Sequence, residues 1–218
     1  MIIAIDGPAG AGKSTVAKLI AKSLNFLYID TGAMYRALTL KALEQGADIK
    51  DPQKLSELAA HTDISLLNDS NAPLKVLLDG RDVSADIRQP RITQFVSEVA
   101  KIKEVRKIMV ELQRKLGNKG NAVLDGRDIG TVVFPEAEKK FYIDAIFEER
   151  VNRRYKESTG LGQKLTAEDV AADLANRDKI DSGRAVAPLK QADDAVYVDT
   201  TKLSIEEVVN KVLGFINE

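Results

Sequence analysis

Residues 7 to 14 read GPAGAGKS, three glycines followed by a lysine and a hydroxyl residue. Gly7, Gly10 and Gly12 let the backbone wrap tightly enough for successive N–H groups to face one anion, and a helix starting just after them adds the favourable end of its dipole. Lys13 is then placed to reach the β and γ phosphates of a nucleoside triphosphate, and Ser14 to offer its hydroxyl oxygen to Mg²⁺. Pro8, Ala9, Ala11 and Thr15 complete the loop that would hold ATP. The plain alternative is a glycine turn with a solvated lysine. The apolar run before the loop and the helical pattern after it argue against that.

A second set of chemistry-bearing residues is basic. Arg36, Arg106, Arg127, Arg150, Arg153, Arg154, Arg177 and Arg184 fall in polar, loop-like contexts. Guanidinium forks match phosphate oxygens two at a time, and phosphoryl transfer spreads negative charge over the transferred group. Several arginines converging on two phosphate-bearing substrates would mark a kinase, with Lys13, Arg127, Arg177 and Arg184 carrying the catalysis. An acceptor hydroxyl would need a base to take its proton, whereas a phosphate monoester, with a second pKa near 6, is already nucleophilic at neutral pH. GTPases carry an Asn-Lys-x-Asp guanine-reading motif, and the string NRDK at 176 to 179 is not equivalent. Asp30 and Asp125 end apolar runs near the loop, where they are open either to water-mediated Mg²⁺ binding or to helix capping.

These residues need a scaffold, and the 218-residue chain is long enough for one catalytic domain with an inserted lobe. With 32 basic and 33 acidic residues the formal net charge is −1, which argues against a nucleic-acid polymer as partner. Cysteine is absent and His61 is the single histidine, so thiolate and histidine-rich metal sites are excluded. The opening MIIAIDGPAG lacks the basic flank and long apolar stretch of a signal peptide, and no apolar run approaches the roughly 20 residues of a membrane helix. A cytoplasmic protein with no membrane partner is expected.

Apolar runs at 2 to 5, 26 to 29, 122 to 124, 141 to 143 and 196 to 198 alternate with helical patterns, as in a parallel sheet covered on both faces. The helix over Lys13 to Leu24 places Val16, Leu19, Ile20 and Leu24 on one face. From Asp63 to Arg88 the pattern changes to two strand-like runs around a polar NDSNAP turn, then Asp79-Gly80, a hairpin signal. Helices over Ile92 to Ala100 and Val105 to Leu116 return the chain to the main sheet. The glycine-containing ESTGLGQKLT at 157 to 166 reads as a mobile flap, and Ser204 with Glu207 as a capping box. His61 reads as a solvated helix-end residue.

With these motifs in view, the chain resembles the bacterial cytidylate kinases over essentially its whole length. GPAGAGKS is joined by DTGAMYR at 30 to 36, DGRDIGTVVFP at 125 to 135, EERVNRR at 148 to 154 and GRAVAPL at 183 to 189. The resemblance implies a three-layer α/β P-loop kinase fold with a five-stranded parallel sheet, a small antiparallel acceptor-binding insert at about 60 to 102 and a short lid at about 154 to 168. It implies a monomer that uses Mg-ATP to phosphorylate CMP or dCMP. Thr31, Arg36 and Arg127 would contact the acceptor 5′-phosphate, with Arg184 close by; Thr31 stands where many relatives have serine. Ser97, Arg106 and Asp128 would read cytosine, Asp181 with Arg177 would bind the sugar, and Arg150, Arg153 and Arg154 would belong to the ATP-side lid. Without the resemblance, Ser97 and Arg106 read as helix-surface residues, the three lid arginines as a solvated helix face, and Arg127 with Asp128 as an ion pair in a turn.

Overall fold

The computed structural model describes residues 1–69 and 72–217. The central sheet is parallel, with order β2-β6-β1-β7-β8. Its strands are β1 (Ile2–Asp6), β2 (Leu27–Asp30), β6 (Ala122–Asp125), β7 (Lys139–Asp144) and β8 (Val196–Asp199). Alternation along the strands divides the core. Ile3 and Ile5 on β1, Phe141 and Ile143 on β7 and Val123 on β6 pack on one side against Val16, Ala17 and Ile20 of α1 (Lys13–Leu24) and Val208 and Val212 of α8 (Ile205–Asn217). Ala4 and Leu124 face the other way, against Met34 and Leu38 of α2 (Thr31–Glu44) and Val105 and Met109 of α5 (Lys103–Gly117). A strand buried on both faces needs apolar residues at every position, which is why these runs are short and unbroken rather than alternating.

The insert follows α3 (Pro52–Ala60) and forms a separate antiparallel sheet of β3 (Ile64–Asp69), β4 (Ala72–Leu78) and β5 (Arg81–Asp82). Asp79 and Gly80 turn with positive φ, 50° and 83°, the backbone that an Asp-Gly hairpin turn demands. The tip of the NDSNAP turn, residues 70 and 71, lies outside the described residues. A single 3₁₀ turn (Asp86–Arg88) and α4 (Pro90–Ala100) lead into α5. Beyond β7 come α6 (Phe147–Gly160) and α7 (Ala167–Gly183). The flap expected at 157 to 166 is shorter than its composition suggested, because α6 continues through Gly160 and Thr166 caps α7.

One local expectation is corrected. Leu19 is 39% exposed; the face of α1 that packs on the sheet is Val16, Ala17, Ile20 and Ala21. Small residues at 17 and 21 let α1 lie close to the strands, and that close approach turns Leu19 outward. Helix α3, capped by Asp51 and packed through Leu55 and Ala59, and the two-residue strand β5 add to the expected elements. Ser204 and Glu207 do form the capping box of α8, Ser204 N donating to Glu207 Oε2 at 2.8 Å and Glu207 N to Ser204 Oγ at 3.3 Å. His61 is exposed at the end of α3. Among the described residues no helix is long and apolar enough to cross a membrane.

Candidate active site

β1 feeds directly into the glycine loop. Gly7 has φ 143°, and a Cβ there would stand 2.0 Å from the carbonyl oxygen of Ile143 on the adjacent strand β7. Only glycine lets the loop leave the sheet along that path. At the far end Gly12, φ 90°, precedes the first turn of α1. Lys13 is buried and its Nζ donates to the Pro8 carbonyl at 2.6 Å. Burial, with Arg127 adding repulsion, draws the Lys13 pKa down to about 7. Ser14 Oγ donates to Asp125 Oδ2 at 2.6 Å, and Tyr28 OH donates to Asp125 Oδ1 at 2.8 Å. Burial and the neighbouring Asp30 push Asp125 up to about 6. Asp30 itself caps α2, accepting from Ala33 N at 2.8 Å.

Ser14 and Asp125 thus bring a hydroxyl and a carboxylate side by side at the loop, hard oxygen donors of the kind Mg²⁺ takes. No group of three or more His, Cys, Asp or Glu gathers among the described residues. An ion here would therefore complete its shell from phosphate oxygens and water, the usual habit of Mg²⁺. The residues fit that ion.

The acceptor side lies one strand over. β6 is the immediate neighbour of β1, and beyond Asp125 the turn Gly126-Arg127-Asp128 opens a turn of π-helix, Ile129–Val133. Both turns emerge at the carboxyl edge of the sheet, where open α/β folds place ligands. Asp6, the last residue of β1, accepts from Ile129 N and Gly130 N, both at 2.8 Å, and so fixes the turn that carries Asp128. Gly126 is needed because a Cβ would stand 2.7 Å from Thr31 Oγ1, which donates to the Asp125 carbonyl at 2.7 Å.

Arg127 and Asp128 do not pair with each other, as a surface turn would have them do. Arg127 Nε donates to Asp181 Oδ2 on α7 at 2.8 Å. Asp128 accepts from Arg106 Nη2 on α5 and, at 3.5 Å, from Arg184 Nη2. Arg106 is 3% exposed, so it faces inward and not onto the helix surface; its Nη1 donates to the Ala100 carbonyl at 3.0 Å. Ser97 is buried on α4, one turn before Ala100. Arg36 Nη1 donates to Thr93 Oγ1 at 2.9 Å and to the Ile87 carbonyl at 3.1 Å. Arg177 lies 3.8 Å from Asp173, and its Nε is buried without a partner. Asp181 bonds to Arg127 and stands one turn along α7 from Arg177.

Charge does not balance in this corner. Five guanidinium groups gather here: Arg106 and Arg184 pair with Asp128, Arg127 pairs with Asp181, Arg177 stands 3.8 Å from Asp173, and Arg36 donates to neutral oxygens. Burial and the neighbouring Arg177 draw Arg36 down to about 9. Arg177 and Arg184 are lowered as well, by burial first and then by Arg127 and Arg106 respectively. Positive charges packed this closely need an anion to offset their repulsion.

The three lid arginines separate. Arg150 is buried, not solvated: Nη1 donates to the loop carbonyl of Ala9 at 3.1 Å and to Asp178 Oδ2 at 2.6 Å, and Nε to the Ala145 carbonyl at 3.1 Å. It ties α6 and α7 to the phosphate loop. Arg153 bonds Glu149 Oε1 at 3.0 Å and Thr200 O at 2.6 Å, while Arg154 pairs with Glu157 at 2.8 Å. Sequence reasoning missed Asp6, Tyr35, Gln113 and Asp178, since a lone acid, tyrosine or amide in a helical or strand pattern carries no sign of its partners.

A glycine loop between strand and helix, with a basic cluster at the neighbouring strand end, defines a P-loop kinase of small molecules. Shikimate kinase from Bacteroides thetaiotaomicron shares this fold with a TM-score of 0.51, at 11% identity over 100% of this chain and 99% of that one. At the level of sequence, the model of the family described as Cytidylate kinase matches residues 3–218, so the chain belongs to that family. A cytidylate kinase of Clostridioides difficile (strain 630) is 51% identical, covering 100% of this chain and 98% of that protein. One from Caldanaerobacter subterraneus subsp. tengcongensis is 52% identical, covering 96% and 92%.

Proposed function

We propose that this protein transfers the γ-phosphoryl group of ATP to the 5′-phosphate of CMP or dCMP, giving CDP or dCDP. The observation that carries this reading is the cluster of five guanidinium groups beside the glycine loop, which its carboxylates offset only in part; family membership supports the choice of acceptor. The loop, Gly7 to Thr15, cradles the triphosphate with its N–H groups, and Lys13 swings from the Pro8 carbonyl to the β and γ phosphates. Ser14, with Asp125 beside it, would hold Mg²⁺, which supplies neutralisation of phosphate charge when bound. Thr31, Arg36 and Arg127 hold the acceptor phosphate in line, and Arg177 and Arg184 take up the charge that spreads over the transferred group.

An acceptor phosphate needs no general base, so positioning and charge carry the reaction. Arg106, presented by Asp128, reads the ring acceptors of cytosine; Ser97 flanks it on α4, and Asp181 takes the sugar. Residues 60–102 form the acceptor-binding insert and 154–168 the lid, with Arg150 and Arg154 on the ATP side. The protein acts as a cytoplasmic monomer.

The test is ADP formation from Mg-ATP with CMP, dCMP, UMP and AMP offered separately, for wild type beside Arg127→Ala. Turnover should appear with CMP and dCMP, and the variant should lose about 10³-fold in kcat/KM, the usual share of one well-placed arginine. Equal turnover of UMP or AMP would remove the cytosine assignment. A fully active variant would remove Arg127 from the transfer step.

A further inference from the structure

Tyr35, inside the DTGAMYR motif but given no role by it, lies beneath the guanidinium of Arg106. Its side chain is 7% exposed, and the guanidinium carbon of Arg106 stands 5.6 Å from the centre of its ring. The other sides of that guanidinium are committed, Nη1 to the Ala100 carbonyl and Nη2 to Asp128, while Nε is buried without a partner. Two fixed hydrogen bonds at one end leave the fork free to roll about the line joining them. The ring face is what opposes that roll. The Tyr35 hydroxyl is buried beside the Gln113 side-chain amide.

The hydroxyl projects from the edge of the ring, whereas Arg106 meets the ring itself. The part of Tyr35 that acts is therefore the ring. A planar fork must lie within about 10–20° of its working orientation to serve two acceptors at once, so a platform that sets its plane also sets which base it accepts.

We propose that Tyr35 is a positioning residue for the acceptor base, acting through Arg106: its ring face holds the guanidinium in the plane in which it meets the pyrimidine. The proposal rests on Arg106 being a base reader, and the experiment separates the two ideas. Steady-state kinetics would be measured for wild type, Tyr35→Leu, Tyr35→Phe, Arg106→Met and the double variant Tyr35→Leu/Arg106→Met, with CMP, UMP and ATP each varied.

In Tyr35→Leu the KM for CMP should rise roughly three- to thirtyfold, the range expected for a partly desolvated cation–π contact. The preference for CMP over UMP should shrink in step, and the KM for ATP should stay unchanged. Tyr35→Phe, which keeps the ring, should keep wild-type KM and selectivity. In the Arg106→Met background the leucine substitution should have no further effect on KM, which a merely structural role would not produce.

If Arg106→Met raises the KM for CMP while a folded Tyr35→Leu does not, the platform role is overturned. If Arg106→Met leaves KM and selectivity untouched, the base-reader assignment fails, and the platform role with it. Should the leucine variant not fold, Tyr35→Met fills similar space without a ring and is held to the same outcomes.

Discussion

Asp6 shows how much one side chain can be asked to do. It closes β1, precedes the phosphate loop and accepts two N–H groups of the turn behind Asp128. Burial outweighs those two bonds and pushes its carboxyl up to about 6, from an ordinary 3.8. The folded state therefore holds the Asp6 proton more tightly than the unfolded chain does. Its contribution favours folding below about pH 4 and is lost as pH rises through about 6. The stability advantage of wild type over Asp6→Asn should accordingly be larger at pH 4 than at pH 7, by up to about 3 kcal/mol. Urea unfolding of both proteins at the two pH values measures it, and a gap that widens with pH would contradict the assignment.

At the scale of elements, two helices show what positions the site. On α1, Ile20 is fully buried and Leu19 is 39% exposed. Ile20→Ala should cost about 3 kcal/mol through the cavity it leaves, and Leu19→Ala less than about 0.5 kcal/mol. Thermal melts of the pair test whether the loop's helix docks through its small-residue face. On α7, which carries Arg177 and Asp181, Thr166 Oγ1 accepts from Asp169 N at 3.1 Å and the Asp169 carboxylate accepts from Thr166 N at 2.9 Å. Thr166→Ala removes half of this box and should lower stability by about 1 kcal/mol. Its effect on turnover should exceed its effect on unfolding only if fraying reaches Arg177, three turns along.

At the scale of the whole molecule, the segment after α6 meets the inserted sheet's side through few hydrogen bonds. The segment between α6 and α7 spans residues 161–166; Leu161 is 53% exposed, and Gln163 Nε2 donates to the Arg88 carbonyl at 3.3 Å beside the insert. That single long bond links the lid segment to the acceptor side. A closed lid excludes water that would otherwise take the phosphoryl group. Cleavage by trypsin at Lys164 should be rapid in the free protein and slow at least tenfold with a non-hydrolysable Mg-ATP analogue and CMP together, in line with ligand-induced ordering. Cleavage at an unchanged rate would place closure elsewhere.

Strand and helix order, the glycine loop and the change of pattern at the insert were all legible in the chain, because they rest on local rules. An unbroken apolar run must be covered on both faces, glycine must stand where the backbone has positive φ or no room, and Asp-Gly turns a hairpin. The arginines near the glycine loop were legible in type and motif, but not in partnership. Arg150 became a buried strut, Arg106 turned inward, and Arg127 reached Asp181 across 54 residues of sequence instead of pairing with its neighbour. Tyr35 and Asp6 lie in or beside quoted motifs, but nothing there marks the contacts they make. Partnership and burial depend on which distant segments the sheet order brings together, and no periodicity along one segment records that.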